Sequence, residues 1–392
     1  MEKMFAIVGI AIFIGIAFLF SSNKKEINWK GIGCAFLGQI LLALAMIKTP
    51  LWKLVQLLAN GITWVLNQAN EGIGFVFGGL VPHGGFVFFI NSLLPIVFIS
   101  ALIGILFHFG ILQKFIALIG NTIARVLRVD TTLAVNGVGN MFLGQSEALF
   151  LTKQQLPKAS ESVIFGTLVA GMGSISASVV GLYVGYGASM EWILVSLPLG
   201  VLSTLIFTQI LMPTKFDASA KVEIESDDKG ANVIETMMNY ANAGFKSVIG
   251  ITVALIVFLS VIALTNNFIG LFFDGITLQS ILGLVFTPLA FLMGVPAGEV
   301  STVAQILATK FITNEAVAFG LPQFTMLSVN AKAMITVALC GFAGIGSIGI
   351  LMGGYSAIAP NKLGIVAKLG MKALLTATIV NMFTGAIVGL ML

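Results

Sequence analysis

From Phe5 to the last residues, the sequence is a succession of long apolar runs separated by short segments that hold most of its charge. In lipid every backbone polar group must be satisfied within the protein, so only helices or closed barrels can span a bilayer. Runs of this length, without strict alternation, are helical spans, because a helix needs about 20 apolar residues to cross. Of the 392 residues 58% are hydrophobic and 9% charged, against about 25% charged in soluble proteins. The chain therefore reads as an all-α polytopic membrane protein. Its net charge of +4 comes from basic residues dispersed at run ends, so a nucleic-acid surface is not indicated. Cys34 and Cys340 lie in apolar runs and read as packing residues. His83 and His108 are too far apart to suggest a metal site.

Eight spans are expected, at about 4–20, 30–47, 86–109, 160–185, 189–211, 247–266, 330–352 and 366–391. The first is kept as a span because Met-Glu-Lys-Met is barely basic and Phe18-Leu19-Phe20-Ser21 is a poor cleavage site. Residues 51–70 mix Trp52, Lys53, Asn60, Trp64 and Asn67 with Leu and Val, the pattern of an amphipathic interfacial helix. Residues 130–157 and 278–310 each reach a glycine or proline break, then a carboxylate, then helix again. They are expected to be two opposed re-entrant hairpins, the sequence mark of a transporter site near the midplane. Lysines and arginines gather at 24–30, 114–128, 215–246 and 362–372, whereas 267–279 has none. The positive-inside rule places those loops in the cytoplasm and both termini outside. The charge run at 223–229 reads as a solvated loop.

The polar residues inside this apolar chain carry the chemistry. The tip Gly144-Gln145-Ser146-Glu147 sets an amide, a hydroxyl and a carboxylate side by side. An intramembrane carboxylate costs about 2.5–3.5 kcal/mol and marks function by default. The second tip is expected at Gly294-Val295-Pro296-Ala297-Gly298-Glu299, where proline ends the incoming half-helix and Glu299 starts the outgoing one. Gly171-Met172-Gly173-Ser174-Ile175-Ser176 interrupts the fourth span. The Ser174 hydroxyl and freed Ile175 carbonyl, with the Asn140 side chain opposite, would suit a hard cation that takes oxygen ligands. Gly341-Phe342-Ala343-Gly344-Ile345-Gly346-Ser347 breaks the seventh span similarly and offers an aromatic face and a hydroxyl. Glu315, after Asn314, reads as a helix cap or a partner for Lys310.

The tips at 144–147 and ending at Glu299, the stretch Lys310-Phe311-Ile312-Thr313-Asn314-Glu315-Ala316-Val317-Ala318-Phe319, and Cys340-Gly341-Phe342-Ala343 together resemble the concentrative nucleoside transporter family, over nearly the whole chain. The resemblance implies a homotrimer in the inner membrane, with a scaffold and an elevator-type transport domain. It divides the chain into 1–110 as scaffold (spans one to three), 111–211 as a transport half, 212–266 as loop and scaffold span six, and 267–392 as the second transport half. It implies that Gln145 and Ser146 bind the nucleobase with Glu147 beside them, that Val179 and Phe342 pack on it, and that Glu299 and Ser347 hold ribose hydroxyls. The implied sodium site takes the side chains of Asn140 and Ser174 and the carbonyls of Leu143 and Ile175. Gly344 stands where many members have an asparagine that helps hold the ribose, which leaves the preferred nucleoside open. Because Asn140 is present, sodium is expected as the coupling ion, with protons the alternative.

Other functions fit less well. A carrier for a free nucleobase, a modified nucleoside or a dicarboxylate is the nearest alternative, although two carboxylates make a poor anion site. No Gly-x-Ser-x-Gly, His-Glu-x-x-His or phosphate-binding Gly-x-x-x-x-Gly-Lys-Ser/Thr loop is present, so neither an enzyme nor a nucleotide-fuelled pump is indicated.

Overall fold

A computed structural model describes residues 2–80, 87–224 and 230–392; His83 and residues 225–229 of the charge run lie outside them. The first three helices are α1 (Glu2–Leu19), α2 (Trp29–Lys48) and α3 (Leu51–Phe77), the last extending the expected amphipathic helix. Asn28 caps α2 by accepting from Gly31 N at 3.0 Å.

The remainder is one motif used twice. Its first copy is α4 (Pro95–His108), α5 (Ile111–Leu127), α6 (Thr131–Asn140), α7 (Glu147–Phe150), α8 (Glu161–Gly173), α9 (Val180–Gly185) and α10 (Met190–Leu211). Its second is α11 (Val233–Gly270), α12 (Leu278–Leu292), α13 (Val300–Ile312), α14 (Glu315–Phe319), α15 (Pro322–Met326), α16 (Val329–Leu339), α17 (Gly346–Ile358) and α18 (Leu363–Met391). Each copy runs from a span through a second helix to a left-handed residue, Arg128 (φ 53°) or Gly294 (φ 81°). Each then makes a hairpin, a broken helix and a closing helix. Hydroxyl caps start the broken helices: Ser160 accepts from Val163 N and Ser328 from Ala331 N.

The two copies point in opposite directions. The 293–299 turn packs at the start of α1, where a side chain at Gly294 would meet the Glu2 carbonyl at 2.8 Å. The 127–130 turn lies at the other end of α1. There Asn28 donates to the Leu127 carbonyl (3.3 Å), Ser22 N to Leu211 O (2.9 Å) and Asp130 N to Thr214 Oγ1 (3.1 Å). An 18-residue helix separates these turns by about 27 Å.

Three expectations are corrected. Seven stretches among the described residues are long and apolar enough to cross a membrane; the expected span 330–352 is two shorter helices, α16 and α17, separated by the glycine-rich break. The second hairpin is not 278–310. The Gly294–Glu299 turn only joins α12 to α13, mirroring the turn between α5 and α6, and the true tip is Thr313–Asn314 between α13 and α14. The proline and glycine of the turn were the stronger helix breakers on paper, but they break the chain at its surface end. Finally, α1 and α2 pack on α10, α12 and α18, while α4 packs chiefly on α11, so the first two spans do not group with the third. Small residues bring α4 and α11 together: Gly104 faces the Tyr240 ring and Gly244 faces Ser100.

Candidate binding site between the hairpin tips

Both hairpin tips and both helix breaks converge on one cavity of about 350 Å³. In the first tip α6 ends at Asn140, and the chain turns through 141–146 before Glu147 opens α7. In the second tip the Asn314 side chain accepts from Val317 N at 2.9 Å, which starts α14 with Glu315 in its first turn. The breaks tie these parts together. Ser174 is extended (φ −132°, ψ 169°), and its carbonyl accepts from Phe342 N at 3.3 Å. Ile345 N donates to the Phe311 carbonyl at 3.1 Å. Ser176 Oγ reaches the Phe142 carbonyl at 3.4 Å, and Gln145 Nε2 reaches Ser347 Oγ at 3.4 Å.

Gln145, Ser146, Glu147, Val179, Phe342 and Ser347 all line the cavity, as does Leu143. Gln145 is buried, and its Oε1 has no hydrogen-bond partner; an unmet buried acceptor costs about 1–3 kcal/mol unless a ligand donates to it. Ser146 Oγ donates to Glu147 Oε2 at 3.0 Å. Ser347 Oγ donates to the Phe342 carbonyl, so toward a ligand its hydroxyl acts as an acceptor. The opposite wall comes from α4 and the first half of α11, including Ser100, Tyr240, Gly244 and Ser247. No Lys, Arg or His is among the described residues that line the cavity.

Glu299 is not among them. Its carboxylate accepts from Ser328 N (2.6 Å) and Ser328 Oγ (2.5 Å), bridging the 293–299 turn to the start of α16. The carboxylate that faces the cavity from the second repeat is Glu315, together with Asn314 and Ala316. Glu315 is buried, and its Oε1 accepts from the Tyr183 hydroxyl at 3.0 Å. It makes no ion pair with Lys310 within 4 Å among the described residues. The sequence held a signal for this: Glu147 precedes the capping Ser160 by the same thirteen residues by which Glu315 precedes the capping Ser328. That periodicity marks Glu315, not Glu299, as the partner of Glu147.

Asn140, Ser174 and Ile175 are buried behind the first tip. Asn140 Nδ2 donates to Asn136 O (3.0 Å) and Asn136 Oδ1 (3.1 Å), while its own Oδ1 is buried without a partner. The Ser174 hydroxyl spends its proton on the Ala170 carbonyl at 2.9 Å and keeps lone pairs free. The orphaned Asn140 amide oxygen and the Ser174 hydroxyl at the helix break are neutral oxygen donors, the ligand type that fits a hard cation.

Residues 192–389 match the family model described as "Na+ dependent nucleoside transporter C-terminus", and residues 8–80 match the corresponding N-terminus. The nucleoside permease NupC of Helicobacter pylori is 32% identical over 99% of this chain and 98% of its own length. The purine nucleoside transport protein NupG of Bacillus subtilis is 29% identical over 98% of each chain. Sodium/nucleoside cotransporter 1 of Rattus norvegicus is 28% identical and covers the whole of this chain, which spans 64% of that protein. Among solved structures, the transporter CNTnw in an inward-facing substrate-bound state superposes with a TM-score of 0.93 at 32% identity, covering 99% of this chain and 98% of that one.

Proposed function

This chain belongs to the concentrative nucleoside transporter family, and from that premise we propose that it is a symporter importing nucleosides on an inward sodium gradient. The observation that carries the reading is the unpaired Gln145 Oε1 in a cavity shared by two tip carboxylates. Gln145, Ser146 and Glu147 take the nucleobase edge, since an amide, a hydroxyl and a carboxylate match its mixed donors and acceptors. Val179 and Phe342 cover its faces. The ribose lies toward the second repeat, where Glu315, with the Ser347 hydroxyl, accepts from the sugar hydroxyls. Glu299, placed at the α16 cap, has a structural role instead.

Sodium takes the Asn140 side chain, the Ser174 hydroxyl and the Leu143 and Ile175 carbonyls. Coupling follows from shared parts. Leu143 stands two residues from Gln145, so a cation that fixes the tip for its own binding also orders the nucleobase site, and the effect is reciprocal. At 100 mV one sodium supplies about 2.3 kcal/mol, enough to concentrate a neutral solute roughly 50-fold.

The packing supports a moving body of α1, α2, both hairpins, both broken helices, α10 and α18, against a frame of α4 and α11, with α3 in contact with both. The cavity meets the first half of α11, which begins on the side rich in Lys and Arg. With that side cytoplasmic, the state is inward-facing, both termini lie outside, and the tips enter the membrane from opposite faces. Alternating access is then an elevator movement along α4 and α11 within a homotrimer in the inner membrane. A dicarboxylate cargo is disfavoured because no cationic side chain is among the described lining residues.

Competition of radiolabelled uridine uptake by other nucleosides, free bases, ribose and succinate tests the cargo assignment. Nucleosides alone are expected to compete strongly. A free base competing as well as its nucleoside would remove the ribose half of the site.

A further inference from the structure

Lys310 on α13 is buried, at 4% exposure, and lines no part of the cavity. Its ammonium meets no described carboxylate within 4 Å. It donates instead to the Ala338 carbonyl at 2.8 Å. With the Asn381 amide oriented by its neighbours, Asn381 Oδ1 accepts from Lys310 Nζ at 2.7 Å and Asn381 Nδ2 donates to the Gly173 carbonyl at 2.8 Å. Ala338 and Gly173 belong to the last turns of α16 and α8, the two helices that break at the site. Carbonyls in a last helical turn have no partner within the helix, and the negative end of the dipole favours a cation there. Gly341 packs directly against the Asn381 amide, so even a methyl group at 341 would displace it. One ammonium on one amide thus ties one carbonyl from each broken end together.

We propose that Lys310 and Asn381 form a positioning pair for the coupling cation, fixing the helix breaks so that the cation ligands stand in register. Gly173 immediately precedes Ser174 and Ile175. Where its carbonyl is held decides where the chain leaves α8, and so where the Ser174 hydroxyl and Ile175 carbonyl lie relative to Asn140. The Ser174 carbonyl is held in turn by Phe342 N of the other break. An intramembrane lysine that makes no ion pair within 4 Å among the described residues and no cargo contact is costly to keep, and this role accounts for it.

The inference rests on the sodium reading of Asn140 and Ser174, and its test separates the two. Nucleoside binding to the purified protein is titrated against sodium for wild type, Lys310→Met and Asn381→Asp, with thermal stability followed in parallel. Asn381→Asp keeps an oxygen for Lys310 and removes the donor to Gly173, a smaller change if Lys310→Met folds poorly. Both variants are expected to need about tenfold or more sodium for half-maximal binding, with nucleoside affinity at saturating sodium within about threefold of wild type. Lower stability with an unchanged sodium midpoint in both would overturn the positioning role and leave a purely structural one. A wild type whose binding ignores sodium would remove the underlying reading itself.

Discussion

The exchange Glu315→Gln is the most informative single perturbation, because the chain offers two acidic residues for one role. Glu315 is buried, lines the cavity and is held by the Tyr183 hydroxyl at 3.0 Å. Glutamine keeps its shape and its acceptor toward Tyr183 but loses the charge that strengthens bonds from sugar hydroxyls. A hydrogen bond to a charged group contributes about 1.5–3 kcal/mol. At about 1.4 kcal/mol per tenfold, Glu315→Gln should weaken nucleoside binding by roughly 10- to 150-fold. Glu299→Gln keeps one acceptor for Ser328 but loses the second, together with the charge, at the start of α16, where a weakened cap costs about 0.5–2 kcal/mol of stability. It should lower the melting temperature while leaving nucleoside affinity within about threefold. Calorimetric titration of each purified variant at saturating sodium, alongside a melting curve, reads both quantities. Lost affinity in Glu299→Gln with normal affinity in Glu315→Gln would refute the assignment of the ribose contact to the second tip.

Further outcomes are expected. Asn140→Ala removes the one orphaned amide oxygen at the cation site and should raise the sodium needed for half-maximal uptake about tenfold, with nucleoside affinity recovered at high sodium. Gln145→Leu leaves Ser347 without its amide partner and the nucleobase without an acceptor; equilibrium binding should weaken about tenfold. Gly344→Asn, which brings in the residue many family members carry, should not improve ribose binding. A side chain at 344 overlaps the Thr313 carbonyl and meets the Lys310 carbonyl at 3.1 Å, and overpacking of this kind costs about 1–3 kcal/mol. A lower melting temperature and slower uptake are expected, and faster uptake would show that the tip can shift to admit the amide.

The sequence made the first repeat legible and hid part of the second. Gly144-Gln145-Ser146-Glu147 could be read directly, because polar residues inside an apolar chain have few other uses. The break at Ser174 could also be read, because Gly-x-Gly-Ser removes helix propensity in the middle of a span. The second tip was harder. Its turn at Thr313–Asn314 contains no glycine or proline, whereas Gly294-Val295-Pro296 contains both. Composition therefore drew the expected tip to a surface turn, although cap-to-cap spacing pointed to Glu315. The stretch 114–128 reads as a basic loop because Lys114, Asn121 and Arg125 dilute its apolar face, yet it forms the helix α5. The grouping of α1 and α2 with the closing helices depends on packing between distant segments, such as Gln39 with Leu199 and Ser203, and no local pattern reports it.

The central claim is that the tip cavity and the Asn140–Ser174 pocket act together as one sodium-coupled nucleoside site. Uptake of radiolabelled uridine and inosine into proteoliposomes, under an inward sodium gradient, a proton gradient or neither, tests it most directly. The account predicts accumulation of at least one nucleoside above its external concentration with sodium alone, and only equilibration without a gradient. Accumulation driven by protons and indifferent to sodium would contradict the cation assignment, and no accumulation under any gradient would contradict the claim as a whole.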